Sequence, residues 1–460
     1  MARHGRLAAF SLYDFADSAF ATVIVTVLYN QYYAGTVAGG PEGVVLLGLR
    51  IPGATMFTWL QAFSMALVAV AAPFLGALAD RRRSRTGFLA LFWFPGVLLT
   101  VALAGVEAGE WIEGGLLFAT AYICFAASSI FYNALLPEIG PPADLGRLSG
   151  IAWGIGYFGG GIVLILDLVL LKKPSLLGLP EGDLGIGACF ALAGLWWFVF
   201  ALPLLWVFRG EFFRSARSPI VAAGSTADGT APLAKLERSA GGPSHPTGVV
   251  AQVRHTLSRV ARLPELRRFF IAYLLYNDAV QTVVGVVSIF AAQELGFPVE
   301  QLILIFLLIQ GTAFAGSFLL GWMADRFGHK QTLLLCVFAW TFFTIWAAAA
   351  GIFGNAVREF WILGGICGLF LGGIQSCSRS MLTGWIPEGR ESEIFGFFSV
   401  VSRAAAVFGP LIYGGLVLVT GSLRGGVLAV ALMFLAGGLT LARLRPERIT
   451  AERARLGADV

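Results

Sequence analysis

Twelve stretches of roughly twenty residues or more carry almost no charge, and no other feature limits this chain's fold as tightly. They fall near 7–33, 54–79, 87–106, 112–136, 146–171, 185–208, 268–293, 299–323, 331–352, 359–386, 394–420 and 424–442. A bilayer's hydrocarbon core is about 30 Å thick and takes roughly 20 residues of helix to cross. No water reaches the backbone there, so a crossing segment must close its own hydrogen bonds as a helix or in a sealed barrel. Runs such as Leu60–Leu78 do not alternate polar with apolar residues, as barrel strands do. Each run therefore reads as a helix. Charged residues make up only 13% of the chain and mean hydropathy is +0.79, against about 25% charge in a soluble domain. The expected fold is an all-α membrane protein with twelve transmembrane helices.

An even number of crossings puts both termini on one side. The segments on that side hold 25 Lys and Arg, against five on the other (Arg50, Lys172, Lys173, Arg358 and Arg424). Basic residues stay with the cytoplasmic loops, so both termini are expected in the cytoplasm, in a bacterial inner or plasma membrane. The +5 net charge thus belongs to one membrane face, and nucleic-acid binding is not expected. The apolar stretch after Arg6 is interrupted by Tyr13 and Asp14 and continues as the first helix, so no cleavable signal peptide is expected.

The five Cys sit in apolar runs without a C-x-x-C pair, and the four His show no ligand spacing, so neither a metal site nor a cofactor is expected. Gly154 to Gly161 contains an apparent G-x-G-x-x-G, but it lies inside the fifth helix with no strand before it. A dinucleotide loop needs that strand. Small residues here instead allow helices of two moving halves to approach closely. Pro137, Pro203, Pro387 and Pro410 read as punctuation or kinks near span ends. With no nucleophile–base or metal constellation, an enzyme is not expected.

Residues 209–267 form the one long break between spans. Its middle, 218–248, is rich in Ser, Gly, Ala and Pro and reads as disordered. Val249–Arg262 reads as a short basic amphipathic helix suited to the inner leaflet, or as a plain tether. The chain thus divides into a six-helix bundle over 1–208, this linker, a second six-helix bundle over 268–445 and a tail over 446–460. The bundles resemble each other. Sliding 128–162 onto 378–412 matches, among others, Ser128 with Ser378, Gly159 with Gly409 and Phe158 with Phe408. Leu12–Asp14 likewise faces Leu275–Asn277, and Gly76–Arg81 faces Gly321–Arg326. The change of register between these last two matches points to extra residues around Gly35–Gly53. Duplicated six-helix halves are a transporter signature.

At these residues the chain resembles the major facilitator superfamily. Its loop motif appears as Gly76, Asp80 and Arg81 and recurs as Gly321, Asp325, Arg326 and Lys330. Tyr13 to Ala19, Tyr276 to Thr282 and Ser378 to Ser380 followed by Ile386 to Gly389 resemble the UMF1 group, which includes the vacuolar effluxers of the autophagy type. The resemblance implies two six-helix bundles, alternating access, and a cytoplasmic latch at the loop motif when the protein faces outward. It also suggests export of amino acids or similar small solutes.

Five ionisable residues stand well inside spans: Asp14, Asp17, Asp278, Arg379 and Arg403. Each costs about 2.5–3.5 kcal/mol at mid-helix on insertion scales, so they must face a wet cavity or each other. Asp14 with Asp17, Asn277 with Gln281, Ser129 with Asn133, and Gln375 with Arg379 are three or four apart, so each pair shares a helix face. Tyr13 and Tyr276 belong to the same polar groups. These helices are the first, fourth, seventh and tenth, which suits a central path. The competing possibility is a set of fixed ion pairs, Asp278 with Arg379 and Asp14 or Asp17 with Arg403. On the first alternative, Arg379 holds a substrate carboxylate, and an aspartate holds an ammonium group or a coupling proton. The expected function is secondary active transport of a small polar solute by a monomer. The alternatives are a sugar, peptide or drug transporter, or a sensor or scaffold that has kept the fold.

Overall fold

The apolar runs close their own backbone hydrogen bonds, and the computed structural model has, among its described residues, twelve helices long and apolar enough to cross a membrane. The structure describes all residues except 1–2, 83, 137–138, 140–144, 178–184, 210–257, 259, 261, 353, 386–397, 399 and 459–460, and only the backbone of 3–4, 77, 80–82, 145–150, 177, 376, 379, 383 and 455–458. The expected disordered linker middle, most of the amphipathic segment, Pro137 and Ile386–Gly389 therefore lie outside the described residues. The spans are α1 Gly5–Val37, α2 Gly53–Arg82, α3 Arg85–Ala102, α4 Trp111–Ala134, α5 Leu145–Lys172, α6 Gly187–Val207, α7 Pro264–Gln293, α8 Val299–Phe327, α9 His329–Ala349, α10 Ala356–Thr383, α11 Val400–Thr420 and α12 Leu423–Ala442.

Two spans are irregular. After a regular first part, α1 widens into π-type turns over Phe20–Val27 and again over Tyr33–Val37. The Thr26 hydroxyl donates to the Ala21 carbonyl, five residues back, at 2.8 Å. The helix of α11 is broken at 405–407 and resumes as Phe408–Thr420. Pro410 stands in the first turn of the resumed helix, where its missing N–H leaves no partner wanting. Pro203 lies inside α6.

The loop between α1 and α2, where the register change placed extra residues, holds a small antiparallel hairpin, β1 Val44–Leu46 and β2 Leu49–Ile51. Leu47 and Gly48 at its tip have φ of 51° and 81°, as a two-residue primed turn demands. It is the one departure from all-α structure among the described residues.

The helices pack in matched pairs. The contacts of α1 with α5 and α6, of α3 with α4 and α6, and of α2 with α4 recur as α7 with α11 and α12, α9 with α10 and α12, and α8 with α10. Even single crossings repeat. Gly159 of α5 lies against the Phe15 carbonyl and Ser18 of α1, while Gly409 of α11 lies against Asp278 and Thr282 of α7. Of the remaining glycines of the α5 run, Gly156 faces Asp14 of α1, Gly154 and Gly161 face Phe314 and Leu307 of α8, and Gly160 meets both Thr22 of α1 and Gln310 of α8. Three seams, α1 with α7, α2 with α11 and α5 with α8, join the first six helices to the last six. Large side chains such as Phe63, Val70 and Phe158 remain exposed on the outside of the spans, where lipid would meet them.

The tail is built in. Its helix α13, Ile449–Ala458, places the buried Glu452 carboxylate at the start of α7. That carboxylate accepts the Glu265 and Leu266 backbone N–H groups at 2.9 and 3.0 Å, and the Trp385 indole N–H at 3.2 Å. A carboxylate at a helix N-terminus satisfies orphan donors and complements the dipole.

Candidate functional site

The site is bounded by a seal at the end away from the termini. Asn30, fully buried in α1, donates through its amide to the Gly285 carbonyl at 3.0 Å and to the Ser288 hydroxyl at 2.6 Å, both on α7. Ser288 donates back to the Thr26 carbonyl at 2.6 Å. Thr55 at the start of α2 donates to the Gly414 carbonyl of α11 at 3.0 Å. Lys172 of α5 pairs with Glu300 of α8 at 2.7 Å. Deeper in, the Gln61 side chain of α2 covers Gly285 of α7. The Gln310 amide of α8 reaches the Tyr157 carbonyl and Gly161 N–H of α5. The two groups of helices are thus closed on each other at the end opposite the termini.

Beneath this seal, α1 carries the acidic part of the predicted site. Tyr13 is fully buried and stacks on Tyr132 of α4, ring centroids 4.6 Å apart. The Tyr132 hydroxyl donates to the Phe10 carbonyl at 3.0 Å and lies beside Asp14. Asp14 and Asp17 are half-buried, one turn apart, within electrostatic reach of each other. Among the described residues, no hydrogen bond or ion pair reaches the Asp17 carboxylate. Asn133 is exposed and donates to Ser129 of its own helix at 2.8 Å.

The matched positions in the second group are more tightly bonded. The buried Tyr276 shares a 2.7 Å hydrogen bond with Ser378 of α10. Tyr13 and Ser128 stand at the corresponding positions and are also neighbours, without full hydrogen-bond geometry. Gln375 donates to Asn277 at 3.0 Å, which joins two predicted residues across α7 and α10. Gln281 is half-buried on α7. Asp278 is wholly buried and accepts the Gly409 backbone N–H at 2.9 Å, so it caps the helix that resumes after the α11 break. Arg403, just before that break, is half-buried and within electrostatic reach of Tyr122 on α4. The Arg379 side chain lies outside the described residues.

The predicted cytoplasmic gate is described in part. Gly76, Asp80 and Arg81 end α2, but the Asp80 and Arg81 side chains lie outside the described residues. Gly321 has open space at its Cα, and Asp325 and Arg326 are exposed. Lys330 has a different attachment: its ammonium donates to the Ala442 and Leu444 carbonyls at 3.0 and 2.7 Å. It thereby satisfies carbonyls that the C-terminus of α12 leaves orphaned.

Sequence reasoning passed over several polar residues. Asn30, Gln61 and Gln310 are amides inside apolar runs, and that interruption was their signal. Asp167 of α5 is wholly buried, with both carboxylate oxygens lacking a hydrogen-bond partner among the described residues. It lies near the end of its span, where a charge looks inexpensive from sequence.

Twelve spans, packed as two matched sets of six and closed on each other at one end, give the architecture of a solute transporter. In solved structures, the fold matches a variant of the nucleoside transporter NupG with TM-score 0.62 at 14% identity, covering 97% of this chain and 99% of that one. The inward open xylose transporter XylE from E. coli matches with TM-score 0.61 at 13% identity, covering 98% of each chain. The architecture is therefore that of the major facilitator superfamily, as the sequence resemblance implied. The family model described as "Vacuole effluxer Atg22 like" matches residues 3–454, and the chain belongs to that family. Among curated proteins it is 24% identical to the uncharacterized MFS-type transporter YxiO of Bacillus subtilis, covering 95% of this chain and 94% of that one. It is 22% identical to autophagy-related protein 22-1 of Penicillium rubens, covering 92% of this chain and 80% of the relative.

Proposed function

We propose that this transporter exports an amino acid or similar small zwitterion from the cytoplasm by alternating access, as a monomer, with a proton as the coupling ion. The observation that carries the reading is Asp17, a half-buried carboxylate in mid-span with a like-charged neighbour and no hydrogen-bonding or ion-pairing partner among the described residues. An uncompensated charge there is costly, and an ammonium group or a proton would offset it. Asp14, Tyr13 and the Asn277–Gln375 pair supply further polar contacts, and the guanidiniums of Arg379 and Arg403 suit a carboxylate. Asp278 belongs with the structural groups, because the resumed α11 helix already engages it.

The proposal places the termini in the cytoplasm of a bacterial cell, so the observed closure opposite them corresponds to an inward-facing state. The Asp80–Arg81 and Asp325–Arg326 motifs would latch only in the opposite state, in keeping with the exposure of Asp325 and Arg326.

Counterflow in proteoliposomes, run with a panel of labelled amino acids at two pH values, tests this. Wild-type protein should exchange at least one amino acid, and a pH gradient should drive its accumulation. Asp17→Asn should abolish the response to the gradient while leaving the unfolding temperature near wild type. Intact protein that exchanges none of the panel would refute the substrate class. An Asp17→Asn variant with unaltered gradient response would remove Asp17 from coupling.

A further inference from the structure

We propose that the inner corner between α7, α9 and α12 binds the phosphodiester headgroup of an anionic phospholipid. A cavity of about 510 Å³ opens there, lined by Arg268, Lys330, Arg443, Arg445 and Glu447 together with the backbone where α12 ends. Its walls are fixed by buried bonds. Glu265, wholly buried, accepts the Arg445 backbone N–H at 2.9 Å and holds the Arg268 guanidinium at 2.6 Å. The Lys330 ammonium is anchored on the Ala442 and Leu444 carbonyls. These contacts occupy two of the four cations. The guanidiniums of Arg443 and Arg445 are exposed, with no hydrogen bond or ion pair to the described residues. Four cations against Glu447 in the lining and Glu265 in the wall leave the cavity net positive.

Position selects a lipid over a free anion. The cavity lies where α12 leaves its apolar span at Ala442. Directly below it, Leu439 of α12 and Leu335 and Phe338 of α9 are exposed, and Gly438 packs against Phe338. A headgroup held by the arginines would therefore lay its acyl chains along this apolar seam. Basic pockets between helix ends at the cytoplasmic surface suit anionic headgroups, with each cation near the surface favouring them, and guanidinium forks match phosphate oxygens.

The test is native mass spectrometry of the full chain released from nanodiscs of mixed phosphatidylglycerol and phosphatidylcholine. Wild-type protein should retain phosphatidylglycerol preferentially, and the Arg443→Gln/Arg445→Gln double variant should lose that preference by roughly ten- to thirtyfold. Arg209→Gln, at an exposed cation on the same side but outside the cavity lining, should leave it unchanged. Equal retention of the two lipids, an unaltered preference in the double variant, or an equal loss in Arg209→Gln would each overturn the site. Displacement of the bound lipid by millimolar inorganic phosphate at fixed ionic strength would show a soluble-anion site and overturn the lipid assignment.

Discussion

The Asp278 carboxylate of α7 accepts the Gly409 N–H at 2.9 Å, at the point where α11 resumes after its break. One aspartate thus joins two helices by capping; the side chain of Arg379, its alternative partner in the sequence reading, lies outside the described residues. Asparagine caps about as well as aspartate, whereas alanine loses about 0.5–2 kcal/mol. Asp278→Asn should keep most of the unfolding temperature and Asp278→Ala should lower it by several degrees. Scanning fluorimetry in detergent checks this, and equal losses in both variants would assign Asp278 a role that needs its charge.

The same crossing has no room for a side chain. A Cβ on Gly409 would meet Thr282 and Asp278, and one on Gly159 would meet the Phe15 carbonyl. Overpacking of this kind costs typically 1–3 kcal/mol. Gly409→Ala and Gly159→Ala should both be destabilised, whereas Gly415→Ala, with nothing within 4 Å of its Cβ, should match wild type. Thermal unfolding of the three variants side by side decides it.

Asn30 ties α1 to α7 through two hydrogen bonds across the seal. Each is worth about 0.5–1.5 kcal/mol net, so Asn30→Ala should shift the balance toward the outward-open state by roughly tenfold. Spin labels at the exposed positions 47 and 419 would report this by electron–electron distance measurement. The long-distance population should grow in the variant; an unchanged distribution would mean the closure rests on other contacts.

Glu452 holds the tail by accepting two backbone N–H groups at the start of α7 and one indole N–H. Glu452→Ala should release α13 and leave the first turn of α7 uncapped, a loss of about 1–3 kcal/mol. Limited trypsin digestion followed by mass spectrometry should show faster cleavage after Arg448 and Arg453. Resistance equal to wild type would show that the remaining packing of α13 suffices.

Several parts of this architecture were legible because the bilayer leaves few alternatives. All twelve apolar runs became spans, and the matches of Tyr13 with Tyr276 and of Ser128 with Ser378 became equivalent neighbours in space. Asn277 and Gln375, expected on one path, are hydrogen-bonded to each other. Other assignments depended on partners that spacing does not reveal. Lys330, read with the gate motif, is bonded to the end of α12 because the chain brings those carbonyls within reach. Asn30 was overlooked since a neutral amide barely changes the hydropathy of its run, although its bonds close one end of the molecule.

The sequence by itself determined the spanning helices, their doubling and the concentration of polar groups on particular helices. Those properties follow from local hydropathy and from the requirement that every backbone group in lipid be bonded within its own segment. Only the tertiary structure decided which polar groups the described residues engage and which they leave unbonded. Asp17 and Asp278 are the same residue type at similar depth, yet one meets a like charge and the other a helix N-terminus. That difference comes from where α11 breaks and how closely Gly409 lets it approach α7, a matter of packing between segments more than a hundred residues apart.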